Sequence, residues 1–260
     1  MQSFSSLCKP LSPAFLHPNN MPVRIGLVVL ATDMVVEVEW REIFAGLPIE
    51  ILVARIACAA EVTPKALLTM AHEIGHCASL ILPDVELDAI AYGCTSGSLV
   101  IGEDKVHQLL QQGNSEQITS NPFSAIKAAL AFIKAKNIVV LSPYLASVNE
   151  PFYNALDSVG YNIMAWGSLD LTLDKDIGSM NPEHLPKLIE ELLAGVDAVP
   201  DAVFISCTNF KAVAKLAELE QRYGCYFISS NQVMAWHLLH QLNISLPNMK
   251  AGRLFETPSI

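Results

Sequence analysis

Two segments of the chain carry a cysteine in the same setting. Asp88–Ser96 reads Asp-Ala-Ile-Ala-Tyr-Gly-Cys-Thr-Ser and Asp201–Asn209 reads Asp-Ala-Val-Phe-Ile-Ser-Cys-Thr-Asn, at an offset of 113 residues. In each, an apolar run typical of a buried strand leads to Cys94 or Cys207. The small polar residues that follow are suited to a turn that opens a helix, so we predict each cysteine at the start of a helix. Because ligands of parallel sheets bind beyond the carboxyl ends of the strands, both cysteines are candidates for a ligand site.

Cys94 and Cys207 suit proton transfer next to a carboxylate. A helix N-terminus lowers the pKa of a thiol below its free value of about 8.5, so we expect both thiols to act as base or nucleophile at neutral pH. One thiolate would remove a proton while the opposite thiol delivers one to the other face. The same pair could attack a carbon–carbon double bond or protonate an enolate. The alternative, a small buried residue, is our interpretation of Cys58, Cys77 and Cys225.

The elements before these cysteines are repeated as well. Val28–Asp33 matches Val139–Tyr144 at an offset of 111, and Gly46 precedes one strand as Gly160 precedes another. Strand-like runs alternate with helix-like stretches, which indicates an α/β fold with parallel strands buried on both faces. The predicted strands are Arg24–Leu30, Ile49–Ala54, Ala89–Tyr92, Asn137–Leu141, Asn162–Ala165, Ala202–Ser206 and Tyr226–Ser229.

We therefore predict two similar α/β halves. Residues 1–21 form a flexible leader, residues 22–122 the first half, completed by about 231–260, and residues 123–230 the second half. The net charge of -10 and pI near 5.1 argue against nucleic acid or an anionic membrane as partner. Apolar runs are only strand-length, and the six cysteines lack short paired spacing, which favours reduced thiols in a cytoplasm.

Four segments resemble those of a known family in their order and in their amino acids. Tyr92–Gly97, Ser142–Tyr144, Ser206–Asn209 and Ser230–Trp236 are similar to segments of the aspartate/glutamate racemase superfamily, in its maleate isomerase and arylmalonate decarboxylase branch. The nearest resemblance within it is to ectoine-utilisation racemase-like proteins. The resemblance implies two Rossmann-like halves related by a pseudo-twofold axis, with the site between them, no metal or organic cofactor, and often a homodimer.

The resemblance also assigns roles to individual residues. Cys94 and Cys207 would be the catalytic cysteines of the first and second half. Tyr144 would donate a hydrogen bond to a substrate carboxylate or developing enolate, where pre-positioned donors stabilise new negative charge. The remaining positions would offer backbone and side-chain donors to the carboxylate, and they are Thr95, Ser96, Thr208 and Asn209.

Asp33 departs from the family pattern. Maleate isomerases carry an asparagine in the loop after the first strand, and Asp33 stands at the matching position. A carboxylate would repel a dianionic substrate, so an amino or amidine group on the substrate would fit better, as in an amino acid or ectoine derivative. The alternative is that Asp33 only caps the following helix.

A competing zinc motif lies in the predicted helix Pro64–Leu82. His72, Glu73 and His76 fit H-E-x-x-H, in which two histidines one turn apart bind zinc and the glutamate acts as base. No third ligand follows at a helpful spacing, since the next histidine is His107. We predict no metal site.

The predicted function is therefore a cofactor-independent isomerase or racemase acting on a small carboxylic acid. A decarboxylase of a malonate-type acid is the nearest alternative, although such members commonly keep only one of the two cysteines. A zinc metallohydrolase and a non-catalytic binder of small acids remain the other hypotheses.

Overall fold

The computed structural model describes residues 8–9, 11–17, 21–112, 116–244 and 251–256. These residues form two four-stranded sheets in which every pair of neighbouring strands is parallel. The strands of the first sheet are β1 (Val23–Leu30), β2 (Ile49–Ile56), β3 (Ala89–Gly93) and β4 (Ile118–Ser120). The strands of the second are β5 (Asn137–Ser142), β6 (Asn162–Ser168), β7 (Ala202–Ile205) and β8 (Tyr226–Ser229).

The two sheets have the same strand order. The first runs β2-β1-β3-β4 and the second β6-β5-β7-β8. The central strands are buried on both faces, as their continuous apolar sequences predict, and helices cover them. The α/β class with two similar parallel-sheet halves is thereby confirmed. Strand β4 is the one that the sequence analysis missed, because a three-residue strand with two hydroxyl side chains has no apolar run.

The helices connect the strands and cover the sheets. In chain order they are α1 (Val36–Ile43), α2 (Pro64–Thr69), α3 (Ala71–Ser79), α4 (Thr95–Ile101), α5 (Glu103–Leu110), α6 (Pro122–Phe132), α7 (Ala146–Ser158), α8 (Asp174–Gly178), α9 (Leu185–Leu193), α10 (Val213–Tyr223) and α11 (Ser230–Gln241). Short 3-10 helices span Pro182–His184 and Arg253–Phe255.

The predicted helix over residues 64–82 is two helices, α2 and α3, and this prediction was wrong in its continuity. The Thr69 hydroxyl donates to the Ala66 carbonyl at 2.7 Å. The Met70 amide donates to Leu67 at 3.3 Å instead, which is the tighter spacing of a 3-10 turn. A side chain that competes for a helical carbonyl breaks the regular ladder in this way.

One large core cluster joins the two halves. It contains buried residues of both sheets, such as Ile25 and Ile138, and the aromatic side chains of Trp40, Phe152 and Phe204. Helix α11 packs against α1, α6 and β4. The domain boundaries near residues 122 and 230 stay a prediction. No helix of the described residues has the length and apolar character needed to span a bilayer.

Two loops that follow edge strands also meet across the halves. Glu61, after β2, forms an antiparallel bridge with Leu173, after β6. The Val62 amide donates to Thr172 at 3.1 Å, and the Asp174 amide donates to Ala60 at 3.2 Å. Because the strands are parallel to those that precede the cysteines, this pairing lies at the edge of the sheets where the cysteines lie.

Candidate active site

Cys94 lies directly after β3 and caps helix α4. Its sulfur accepts the Gly97 amide at 3.3 Å and lies 3.7 Å from the Ser96 hydroxyl oxygen, while Ser98 donates to its carbonyl at 2.6 Å. Gly97 has to be glycine, because a Cβ there would lie 2.5 Å from the Tyr92 hydroxyl oxygen and 3.0 Å from the sulfur. The turn therefore fixes the thiol at the carboxyl end of its strand.

Cys207 lies at the corresponding end of β7, in a different backbone geometry. Its φ of 100° is in the left-handed region, which costs a non-glycine residue about 1–3 kcal/mol and is found most often at functional sites. The expected helix does not follow directly, since α10 begins only at Val213. The prediction that Cys207 opens a helix was thus wrong, because residues 208–212 form a loop that turns the chain first.

The ionisation of the two thiols differs from the sequence-based expectation. Burial raises the pKa of the Cys94 thiol to about 12, although the Gly97 amide and Ser96 hydroxyl oppose the shift. Burial also raises the pKa of Cys207 well above its ordinary value, and the charge of Asp174 adds to this. At Cys94, which caps α4, desolvation outweighs the expected lowering of the pKa by a helix N-terminus, whereas no helix directly follows Cys207 to lower its pKa. Both thiols are therefore protonated at neutral pH.

A single hydroxyl joins the two cysteine loops. Ser230, the first residue of α11, accepts the Thr95 hydroxyl at 2.8 Å and the Cys207 amide at 3.0 Å. The Thr208 hydroxyl donates to the Gly93 carbonyl of the other half at 3.3 Å. These contacts bring Cys94 and Cys207, which are 113 residues apart in the chain, into one buried region.

Tyr144 lies in the same region. Its hydroxyl is buried and has no hydrogen-bond partner, although it is close to the Cys207 thiol and the Ser96 hydroxyl. Burial raises its pKa well above the ordinary value for tyrosine, so the hydroxyl keeps its proton. A buried O–H donor without an acceptor is available to a ligand oxygen.

Replacing Tyr144 with phenylalanine is expected to lower kcat by about 10²- to 10³-fold, because it removes one donor aimed at developing negative charge. The ring stays in its buried place, so the melting temperature should change little. Tyr223→Phe is the matched control, since its hydroxyl is also buried without a partner but packs with Phe227 in the second half. Equal turnover of Tyr144→Phe and Tyr223→Phe would contradict the assigned role.

Asp33 combines both of the interpretations offered for it. One oxygen accepts the amides of Val35 and Val36 at 2.8 and 2.9 Å and so caps α1. The other oxygen is buried and has no partner. Burial raises the pKa of Asp33 to about 6, against the two amide donors and the nearby Thr208 hydroxyl. The cap thus leaves one buried carboxylate oxygen without a partner, near Thr208.

The other residues expected to bind substrate use their side chains within the protein. The Asn209 side chain accepts the Met34 amide and donates to the Asp174 carbonyl, each at 2.9 Å. The Thr95 hydroxyl donates its hydrogen to Ser230, and the Thr208 hydroxyl donates its hydrogen to the Gly93 carbonyl. The Ser96 hydroxyl oxygen lies 3.7 Å from the Cys94 sulfur and close to the Tyr144 hydroxyl. Substrate donors at these positions would therefore come from backbone amides and from Ser96.

Sequence reasoning missed three buried residues of this region. Asp174 accepts the Thr32 hydroxyl at 2.5 Å, and no motif pointed to it. Glu39, on α1, accepts the amides of Ala212 and Val213 at 2.7 and 2.9 Å. The third residue, Asn231, donates to the second Glu39 oxygen at 2.7 Å and to the Thr208 carbonyl at 2.8 Å. Asn231 and Ser230 lay in a segment quoted for its resemblance, which was the available signal.

The zinc motif is placed on α3, where His72 and His76 are exposed side chains beside a cavity of about 860 Å³. Its walls include acidic and amide side chains, among them Glu86 and Gln112. Within the described part of the chain, no three His, Cys, Asp or Glu residues come together as ligands for a metal ion.

A family model described as arylmalonate decarboxylase matches residues 25–255. The chain belongs to the arylmalonate decarboxylase family. The predicted membership of this branch is thereby confirmed, whereas the closer likeness to ectoine-utilisation proteins stays a prediction.

Family relatives include maleate isomerases. The one from Nocardia farcinica is 24% identical over 247 residues, covering 91% of this chain and 96% of its own length. The one from Pseudomonas putida is 24% identical over 202 residues, covering 75% of this chain and 79% of its own length. A solved structure of the Nocardia farcinica enzyme superposes with a TM-score of 0.81 at 23% identity, and the match covers 91% of this chain and 99% of that one. That structure is a cysteine-to-serine mutant with a covalently bound succinylcysteine intermediate. Arylmalonate decarboxylase itself gives 0.71 at 17% identity, covering 90% and 99%. These structures share the fold.

Proposed function

We propose that this protein is a cofactor-independent isomerase or racemase of a small carboxylic acid. The observation that carries the proposal is the pairing of two buried cysteines, one after β3 and one after β7, held in one region by the Ser230 hydroxyl. Family membership supports it, because relatives named maleate isomerase match most of the chain.

The catalytic groups are neutral before substrate binds, which shapes the mechanism. On substrate binding one thiol passes its proton to the nearby Asp174 carboxylate, and the resulting thiolate either removes the proton next to the substrate carboxylate or adds to a double bond. The opposite thiol supplies a proton from the other face. The Tyr144 hydroxyl donates to the oxygen on which negative charge develops, and in a water-excluded site such a donor has a large effect.

Decarboxylation is the second candidate, because the matching family model is described as arylmalonate decarboxylase. Loss of carbon dioxide leaves an enolate that needs one thiol for protonation. Two cysteines in matching positions favour isomerisation or racemisation, in which both faces of the carbon are used. A likeness to ectoine-utilisation racemase-like proteins, a cytoplasmic location and a homodimer belong to the same proposal.

The test is deuterium incorporation from heavy water into a panel of small amino acids, dicarboxylic acids and ectoine-derived acids. We expect exchange or inversion of at least one acid, and we expect it to persist after treatment with a chelator. Activity that a chelator abolishes would overturn the proposal and favour His72, Glu73 and His76. Stoichiometric release of carbon dioxide from a malonate would instead establish the decarboxylase.

A further inference from the structure

The two halves place different groups at equivalent positions of the site. Asp33 and Tyr144 correspond at the offset of 111 residues, each three residues beyond a matching Val-Val-Leu segment. Both side chains are buried, at 4% and 2% exposure, and each has one polar atom without a hydrogen-bond partner. Tyr144 offers a hydrogen-bond donor there, whereas Asp33 offers an acceptor that ionises. The site is therefore chemically asymmetric although the strand order around it is repeated.

The Asp33 side of the site has further negative character. Asp174 is buried, and its charge is close enough to raise the pKa of Asp33, Cys94 and Cys207. No basic side chain is among the main influences on these three groups in the described structure. Arg55 comes near but donates to the Asp33 backbone carbonyl at 2.9 Å and pairs with Glu37, which directs its charge away.

The free Asp33 oxygen has no hydrogen-bond partner in the described structure, although the Thr208 hydroxyl is near enough to lower the pKa of Asp33. The single hydrogen of the neighbouring Thr208 hydroxyl is donated to the Gly93 carbonyl. Burying a carboxylate oxygen without a partner is unfavourable, so a ligand group that supplies N–H and positive charge gains more here than in water. A second carboxylate on the ligand would meet repulsion from the same oxygen.

We propose that the substrate carries a cationic nitrogen substituent which binds the free oxygen of Asp33, while its carboxylate lies toward Tyr144 and Ser96. This inference rests on the proposed function and narrows its substrate to amino or amidino acids. The reacting carbon then lies between the two thiols in one fixed orientation. Asp33 is accordingly a specificity-determining residue, and a plain dicarboxylate is a poor substrate.

The test compares two matched pairs of acids that differ in one amino group, alanine with propanoate and aspartate with succinate. Both deuterium exchange and protection against thermal unfolding are measured for wild type and Asp33→Asn. The asparagine variant keeps an oxygen that caps α1, so it should fold. Asp88→Asn is the matched control, since Asp88 accepts the Arg24 amide at 2.7 Å at the opposite end of the strands.

We expect Asp33→Asn to lower the preference for the amino acid over its matched acid by about 10- to 100-fold, because a charge-assisted hydrogen bond is lost. Asp88→Asn should keep the wild-type preference. The inference would be overturned by an unchanged preference in Asp33→Asn, or by stronger protection of wild type by succinate than by aspartate. Deuterium exchange observed in the same experiment would still support the proposed function. Neither exchange nor protection with any acid would overturn both.

Discussion

Replacing either Cys94 or Cys207 with serine is expected to lower kcat for isomerisation or racemisation by about 10²- to 10⁴-fold, the usual contribution of a positioned acid or base. A serine hydroxyl is a far weaker acid than a thiol and cannot supply the base within the same buried region. The two substitutions remove about the same volume, so substrate binding should persist. Turnover and deuterium exchange are measured for each variant together with a ligand-protection assay.

Cys225→Ser is the matched control for these variants. Cys225 is also buried, and burial raises the pKa of its thiol to about 11. It lies before β8, in a hydrophobic cluster of the second half that includes Leu219 and Phe227. Its substitution should leave kcat within a few-fold of wild type. Residual activity in Cys94→Ser but not in Cys207→Ser would show that one thiol is sufficient, as decarboxylation requires. Full activity in both single variants would refute the two-thiol mechanism.

Removing the Glu39 side chain, by Glu39→Ala, is expected to lower the free energy of unfolding by about 3–5 kcal/mol. Glu39 is 5% exposed and accepts three N–H donors, from Ala212, Val213 and Asn231, so the alanine variant leaves these donors without their acceptor in the interior. Denaturant unfolding measures the loss. Glu39→Gln keeps one carbonyl acceptor and should cost less. A loss below about 1 kcal/mol in Glu39→Ala would contradict this account.

The same carboxyl should also affect stability as a function of pH. Burial raises the pKa of Glu39 from 4.5 to about 7, so the folded state binds its proton more tightly than the unfolded state. The stability that this proton contributes is complete below about pH 4.5 and is lost as the pH rises to about 7, which amounts to about 3 kcal/mol.

Other buried groups contribute to the same pH profile. Burial raises the pKa of Asp33, which acts in the same direction as Glu39, and lowers that of His237 to about 4, which acts in the opposite one. The quantity to compare is therefore the difference between wild type and Glu39→Gln across this range. A constant difference would contradict the shift of Glu39.

The sequence was sufficient for the repeated parts of this fold. Apolar runs identified seven of the strands because buried parallel strands need continuous hydrophobic residues, and the repeat placed Cys94 and Cys207 at equivalent strand ends. The ionisation of the thiols was not predictable in the same way. A cysteine after a strand looks the same in sequence whether it is solvated or buried. Cys94 and Cys207 are only 4% and 6% exposed.

Contacts between distant segments account for what the sequence did not reveal. Asp174 reaches the site through the loop after β6, and Glu39 reaches α10 from the other half. Neither residue lies in a pattern, since a lone acidic residue in a helix or loop is ordinarily solvated. Strand β4 escaped detection because three residues cannot display a period. Tertiary packing, rather than local preference, decides each of these features.

The burial of Cys94 and Cys207 bears on the stereochemical fidelity of the proposed reaction. In the proposed reaction a carbanion or enolate meets the protons of Cys94 and Cys207 before it meets those of bulk water, because both cysteines are buried. The hand of the product is then decided by which thiol lies on which face of the carbon. Solvent, which would protonate both faces alike, is kept from such an intermediate by the burial of both cysteines.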